Sequence, residues 1–201
     1  MVAIRPAVRS DARACARLIV EPSGGINAIL GDRRAALRAA RAAFLVGDTG
    51  LGWNRSLVAD EGGIVVGLAA RLPGSEWSRL RVRTGLAMLV GARGRAHRLV
   101  WRGAVYDRAV PTIPADVLYV MSLAVLPGRR GRGIGAALLA RVGEEAAGLG
   151  VRAVALDVDA GNGRGIAFYR REGFEPVAEV AAPASRGLPP LASIRMERPV
   201  A

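Results

Sequence analysis

Lysine is absent from this 201-residue chain; all 29 of its basic residues are arginine. A phosphate-binding P-loop needs a lysine in its G-x-x-x-x-G-K-[ST] turn, so that class of nucleotide site is excluded. Cysteine occurs once, at Cys15, which rules out an internal disulfide and fits a reducing compartment. Set in an apolar helical run, this thiol reads as a small buried hydrophobe and not as a nucleophile. Histidine also occurs once, at His97 among Arg93, Arg95 and Arg98, where a surface or lid position is expected. No metal is expected. No run approaches the roughly 20 uncharged apolar residues that a bilayer span requires. Arg5, Arg9, Asp11, Arg13 and Arg17 interrupt the first 20 residues, so no secretory leader is expected. Tandem repeats are not visible at any period. The expectation is a soluble, cytoplasmic protein with no membrane partner.

What is present is ordinary globular material. Half of the chain is apolar (51%) and 23% is charged, which is enough to bury one substantial core and argues against disorder. The net charge of +12 invites a nucleic-acid reading. With no lysine and abundant alanine, however, part of that charge is what a GC-rich coding bias produces. The charge is compatible with an anionic ligand and names none.

Periodicity gives the order of elements. Residues 2–9 can form a first strand, and Asp11 is a suitable N-cap for an apolar helix running to Val20. "PSGG" (22–25) breaks the chain, and "INAILGDRRAALRAARAAFLVG" follows as one or two helical pieces. "SLVADEGGIVVGLAARL" (56–72) is a hairpin turning on Asp60-Glu61-Gly62-Gly63. An amphipathic helix is expected through 85–103, ending in a Pro111/Pro114 loop. "VLYVMSLAV" (117–125) is a β-rich run stopped by Pro127. From Ile134 the apolar positions Ala137, Leu138, Val142, Ala146 and Leu149 follow helical spacing up to Gly150. "VRAVALDV" (151–158) is the next strand, so 117–158 reads as a parallel βαβ unit. A short helix over 164–172, a stop at Gly173-Phe174 and two last strands complete the chain.

The loop that opens the βαβ helix is the chemically informative stretch. Gly128, Arg129, Arg130, Gly131, Arg132, Gly133 and Gly135 stand where a strand hands over to a helix. A helix start leaves about four N–H groups unpaired and carries roughly half a positive charge. Glycines there keep side chains out of the way of a ligand, so a pyrophosphate could accept several amide hydrogen bonds while arginines neutralise it. A dinucleotide site is one candidate: Gly133-x-Gly135 follows a strand and Asp157 lies where a ribose ligand belongs. Its third glycine position is Leu138, and only some 44 residues follow Asp157, too few for a doubly wound sheet.

Coenzyme A is the other candidate. Arg130-x-x-Gly133-x-Gly135 resembles the R/Q-x-x-G-x-G/A signature of the GNAT superfamily of acyl-CoA-dependent N-acetyltransferases, and Leu123-Ala124-Val125 resembles the family's fourth strand. "NGRGIAFYRREGF" (162–174) is similar to its N-x-x-A-x-x-x-Y-x-x-x-G-F pattern, with Asn162, Tyr169, Gly173 and Phe174 in place and Gly165 replacing the alanine. The resemblance covers roughly 117–176. It implies an α/β, GNAT-like single domain over 1–201. Its sheet would be mixed, mostly antiparallel and twisted, with a central parallel βαβ unit splayed for coenzyme A. Helices would lie on both faces, with a helical or loop insertion at about 73–115.

The resemblance also implies roles. Leu123, Ala124 and Val125 would border the pantetheine arm, with Leu123 and Val125 offering main-chain bonds. Arg130, Gly131, Arg132, Gly133, Ile134 and Gly135 would hold the pyrophosphate, and Asn162 would meet the arm from the other strand. Tyr169 would be the general acid for the leaving thiolate. Acetyl-CoA would be the co-substrate and a small-molecule or peptide amine the acceptor. Some members carry a glutamate where this chain has Tyr119, which leaves Asp116 or a water relay as the base. Residues 79–108 hold eight arginines against the single Asp107, with Trp101 and Tyr106 nearby. A solvated face, a lid over the acceptor pocket and a polyanion surface all fit that pattern; nucleic acid is not the expected partner, and a homodimer is left open. A coenzyme A-sensing or nucleic-acid-binding module without turnover, and a dinucleotide enzyme, are the alternatives. Segments 22–34, 73–115 and 181–192 would line the acceptor pocket.

Overall fold

A computed structural model of the chain describes residues 2–21, 24–108 and 112–200, without the side chains of residues 24–25 and 106–108. The predicted hairpin is its clearest element. Strands β2 (Ser56–Glu61) and β3 (Ile64–Pro73) pair antiparallel, and the turn between them holds Gly62 and Gly63 at φ 62° and 87°, where a side chain would be strained. β1 (Val2–Pro6) pairs with β2, and β4 (Val117–Val125) with β3. β5 (Ala153–Asp159) runs parallel to β4. β7 (Leu191–Pro199) adds to β5 antiparallel, and β6 (Glu175–Ala182) forms the far edge. The order among the described residues is β1-β2-β3-β4-β5-β7-β6. This is the mixed, mostly antiparallel sheet that the sequence predicts, with β4–β5 as its parallel pair.

A parallel pair needs a crossover, here α6 (Ile134–Leu149), which ends on Gly150 at φ 65° as predicted. Its buried side, Ile134, Leu138, Leu139, Val142 and Ala146, packs on Leu57, Val66, Leu118, Val120, Val154 and Leu156. Each fully buried large aliphatic side chain contributes about 1.5–3 kcal/mol. Gly67 seats the helix: a Cβ there would lie 3.1 Å from Ile134 Cγ2. On the other sheet face, α1 (Ala12–Val20), α2 (Gly24–Leu30), α3 (Arg33–Val46) and α4 (Trp77–Ala92) bury alanine-rich sides with Val58, Leu68, Ala70 and Ala124. Cys15 lies within that core. Burial pushes its thiol up to about 12, so it is inert as expected. Two helices remain: α5 (Ala96–Arg108) and α7 (Gly163–Arg171).

Two local expectations are corrected. Asp11 does not cap α1: a 3-10 turn (Arg9–Asp11) precedes the helix, and the carboxylate turns back to Val8 N–H at 2.9 Å and Arg5 Nη1 at 2.8 Å. The one helix expected over 85–103 is two. α4 begins earlier, at Trp77, and Arg93 at φ 50° breaks the chain before α5. The insertion is therefore largely helical. Pro22, Ser23 and Pro111 lie outside the described residues.

α4 runs antiparallel to α3, and Gly91 marks the tightest point. A Cβ on Gly91 would sit 2.5 Å from Arg38 O and 2.6 Å from Ala39 Cα. Backbone atoms cannot swing aside, so Gly91→Ala is expected to destabilise the fold by about 1–3 kcal/mol. Urea denaturation would show it as a lower midpoint at unchanged slope.

Candidate active site

β4 and β5 stay in register only from Val117–Val120 against Ala153–Leu156. Past that point β4 continues on β3 and β5 on β7, so the two strands part and leave a gap. A bulge accompanies the parting: Arg71 pairs with Val120 but Ala70 with Ser122, which leaves Met121 as the extra residue. Bulges bend and twist a strand. This one also reverses the alternation, so that Leu118 and Val120 before it and Leu123 and Val125 after it face α6. Leu126 N–H donates to Val66 O at 2.9 Å. That turns the backbone groups of Leu126 and Ala124 toward β3 and those of Leu123 and Val125 toward the gap. Of the three predicted residues, Leu123 and Val125 thus border the gap. Ala124 does not; its side chain is in the core. The Val125 carbonyl accepts a hydrogen bond from Arg130 Nε at 3.0 Å.

Below the gap lies the glycine–arginine turn. The first ladder bond of α6 runs from Ala137 N–H to Gly133 O, 2.9 Å, so the amides of residues 133–136 precede the ladder at the positive end of the helix. Gly131 and Gly133 both have φ 74°, and a Cβ on either would meet nothing within 4 Å. Arg130 and Arg132 are exposed. An open left-handed turn, amides ahead of the helix ladder and exposed guanidinium groups fit a diphosphate. The other residues have different work. Arg129 Nε donates to Glu61 Oε2 at 2.6 Å, tying the turn to the β2–β3 hairpin and holding the Glu61 carboxyl below its usual range. Ile134 buries its side chain under the sheet and offers only its amide. Gly135 is small for packing: a Cβ would lie 3.0 Å from Phe168 Cζ of α7.

α7 starts on Asn162, whose Oδ1 accepts from Gly165 N–H at 3.0 Å. The glycine that departs from the family pattern matches this cap, since a Cβ on Gly165 would come within 2.6 Å of Asn162 Nδ2. Tyr169, seven residues on, packs its ring on Phe168 and Phe174 at 5.3 and 5.9 Å. Burial pushes its phenol up to about 12. Gly173 at φ 83° and the buried Phe174 form the predicted stop.

At the vertex of the gap stands a cluster that the sequence did not reveal. Asp157 is the first β5 residue past the last β4–β5 pair. Its Oδ2 accepts from Tyr119 O–H at 2.9 Å. Arg195, on β7 and 2% exposed, donates to Asp157 through Nε at 2.5 Å and Nη2 at 2.9 Å, and to Thr112 O at 3.1 Å. The guanidinium lies 5.3 Å from the Tyr119 ring centre, and Trp77 meets that ring edge-on at 5.4 Å. Burial first, then the Asp157 carboxylate, raise the Tyr119 phenol well above its ordinary value, and Tyr169 acts on it in the same direction. Tyr119 therefore stays protonated. Held by two partners, Asp157 is not the ribose ligand of a dinucleotide site. Arg195 escaped notice because arginine in a strand is ordinarily a solvent-facing residue; its one signal is its place between Ile194 and Met196.

Other candidates are not brought to the gap. Asp116 precedes β4 at the opposite end of the strand, exposed, with Arg152 Nε at 3.0 Å, so it is too distant to be the base. His97 is exposed on α5. Most arginines of the insertion have intramolecular partners. Arg79 and Arg83 reach Asp48 at 2.8 and 2.9 Å. Arg95, Arg98 and Arg102 donate to the α2 carbonyls of Leu30 and Ala28 at 3.2–3.5 Å. Arg186, in the β6–β7 connection, donates to Trp101 O. These bonds join the three segments expected around the acceptor pocket, and they reduce the basic surface that a nucleic-acid reading needs. The side chains of Tyr106 and Asp107 lie outside the described residues. Among those described, no group of three or more His, Cys, Asp and Glu could hold a metal ion, and no helix is long and apolar enough to cross a membrane.

Comparison with known proteins agrees with this geometry. No curated protein matches the chain. An N-acetyltransferase from Staphylococcus aureus Mu50 shares the fold with a TM-score of 0.74 at 18% identity, over 97% of this chain and 99% of that one. A ribosomal-protein-alanine N-acetyltransferase from Brucella melitensis gives 0.62 at 23% identity, over 98% and 99%. The structure of yncA from Salmonella typhimurium with its cofactor acetyl-CoA gives 0.59 at 18%, over 100% and 95%. Residues 48–174 match the model of the family described as "Acetyltransferase (GNAT) family". Matched over more than half of its length, the chain belongs to the GNAT acetyltransferase family.

Proposed function

We propose that the protein is an N-acetyltransferase that moves an acetyl group from acetyl-CoA directly to a primary amine, small-molecule or peptide. The carrying observation is the gap between β4 and β5, which opens beside an arginine–glycine turn at a helix start. Family membership supports the reading, as does a neighbour of the same fold solved with acetyl-CoA. Bound acetyl-CoA supplies an acyl carbonyl activated as a thioester. The amides of residues 131–135, with Arg130 and Arg132, hold the pyrophosphate. Leu123 and Val125 pair through their main chain with the pantetheine arm, and Asn162 Nδ2 meets it from the far side. Arg130, which donates to the Val125 carbonyl at 3.0 Å, would release that acceptor to the arm on turning to the pyrophosphate.

The two phenols then act with opposite hydrogen-bond polarity. Tyr119 donates its one O–H to Asp157, so only its lone pairs remain. It accepts an N–H of the amine and turns that nitrogen toward the thioester. Tyr169 has no hydrogen-bond acceptor among the described residues, and with a phenol near 12 it keeps its proton at neutral pH. As the C–N bond forms and the C–S bond breaks, Tyr169 protonates the departing sulfur. The amine proton leaves to water, since Asp116 is distant and a protonated Tyr119 is no base, and water returns a proton to the Tyr169 phenolate, so that one proton in all passes from nitrogen to sulfur.

Two substitutions test this. Gly133→Val places a branched side chain at φ 74° in the turn, at a strain of about 1–2 kcal/mol. Calorimetry is expected to show coenzyme A affinity falling by at least about tenfold; unchanged affinity removes the cradle. Tyr169→Phe is expected to lower kcat by about 100-fold or more with little change in the KM for acetyl-CoA. The assay is thiol release over amino acids, polyamines, aminoglycosides and peptide N-termini. Full activity in that variant rejects Tyr169 as the acid.

A further inference from the structure

α4 is apolar on two opposite sides. Its inner side, Leu80, Thr84, Ala87, Met88 and Ala92, is buried. At about 100° per residue, Val82, Leu86 and Val90 form a single row on the outer side, at i, i+4 and i+8. They are 55%, 59% and 77% exposed. A helix that is hydrophobic all round is ordinarily buried; this one is half uncovered. Near one end of the row stand Arg79 and Arg83, about half exposed and paired with Asp48 and Glu76; past the other end, beyond the last residue of α4, Arg93 is exposed. The antiparallel α3 exposes a basic row of its own, Arg34, Arg38 and Arg41. Arg38 leans across to the α4 carbonyl of Gly91 at 3.4 Å.

The occupant of this face must satisfy aliphatic side chains and cations together. A second copy of the chain would cover the aliphatic row, but each copy carries the same net charge of +12, so the two would approach against like charge. Nucleic acid would engage the arginines but leave the aliphatic row in water. A partner helix could seat a groove on this ridge, but one helix on α4 would leave the neighbouring arginine row of α3 without anions. An anionic bilayer meets all the terms. Aliphatic side chains enter the interface, guanidinium groups meet headgroups, and a net charge of +12 acts on the whole surface at once. We propose that the outer face of α4 docks the protein on an anionic lipid surface. The sequence-based expectation of no membrane partner followed from the lack of a spanning segment, which says nothing of a helix lying flat.

The test uses the full chain and unilamellar vesicles of phosphatidylcholine alone or of equal parts phosphatidylcholine and phosphatidylglycerol. Cosedimentation is expected to show partition at least about tenfold stronger on the anionic vesicles, declining as salt is raised. The double variant Leu86→Glu, Val90→Glu is expected to lose that advantage while keeping its thermal midpoint and its affinity for coenzyme A. Arg34→Gln with Arg41→Gln, which leaves α4 untouched, is expected to weaken binding in the same direction. Equal partition on both vesicles, or undiminished binding by the α4 double variant, overturns the proposal. So does a dimer in analytical ultracentrifugation that the double variant dissociates, which would assign the row to a second copy.

Discussion

Everything at this site depends on two parallel strands ceasing to be neighbours. After Val120 and Leu156 the β4–β5 ladder stops, and unpaired backbone groups must find other partners. β5 has β7 on its other side, and β4 has β3. The vertex is fastened by side chains: Asp157 of β5 is held by Arg195 of β7 and by Tyr119 of β4. A buried ion pair of this kind gives little net stability, but losing one partner leaves an uncompensated charge. Its contribution is to fix where the strands part and how the Tyr119 hydroxyl is polarised.

The arginines show how little a residue count says about surface chemistry. Arg195 is a core residue, Arg129 ties a loop to a hairpin, and Arg95, Arg98 and Arg102 sit on the carbonyls that close α2. These last three place cations at a helix C-terminus, where the dipole favours them. Those left at the gap, Arg130 and Arg132, are few and positioned. The glycines divide in the same way. Gly131 and Gly133 have positive φ and open surroundings, whereas Gly135 and Gly91 are small because another helix presses on them.

The three segments expected around an acceptor pocket are joined by long-range hydrogen bonds. The end of α2, the stretch from Arg95 through α5 and the β6–β7 connection are tied together through Arg95, Arg98, Arg102 and Arg186. None of these contacts has a local sequence signature, because each joins a side chain to a carbonyl more than sixty residues away. This is why the sequence could name these segments as stretches but not the contacts between them.

The sequence by itself determined the elements whose causes are local. Gly62-Gly63 made the hairpin turn, Gly150 and Gly173 ended their helices, and a strand, an apolar helix and a second strand implied a parallel crossover. The spacing of Arg130, Gly133, Gly135, Asn162 and Tyr169 was enough to indicate the family. Only the tertiary structure decided what depends on neighbours distant in the chain. It broke the helix at Arg93, turned Ala124 away from the gap, set Asp116 at the wrong end of its strand, and buried Arg195 against Asp157. The reason is physical. Turn dihedrals and helix ends are set within a few residues, whereas the burial of a charge, or the backbone face a strand turns to a gap, is set by which strands lie on either side.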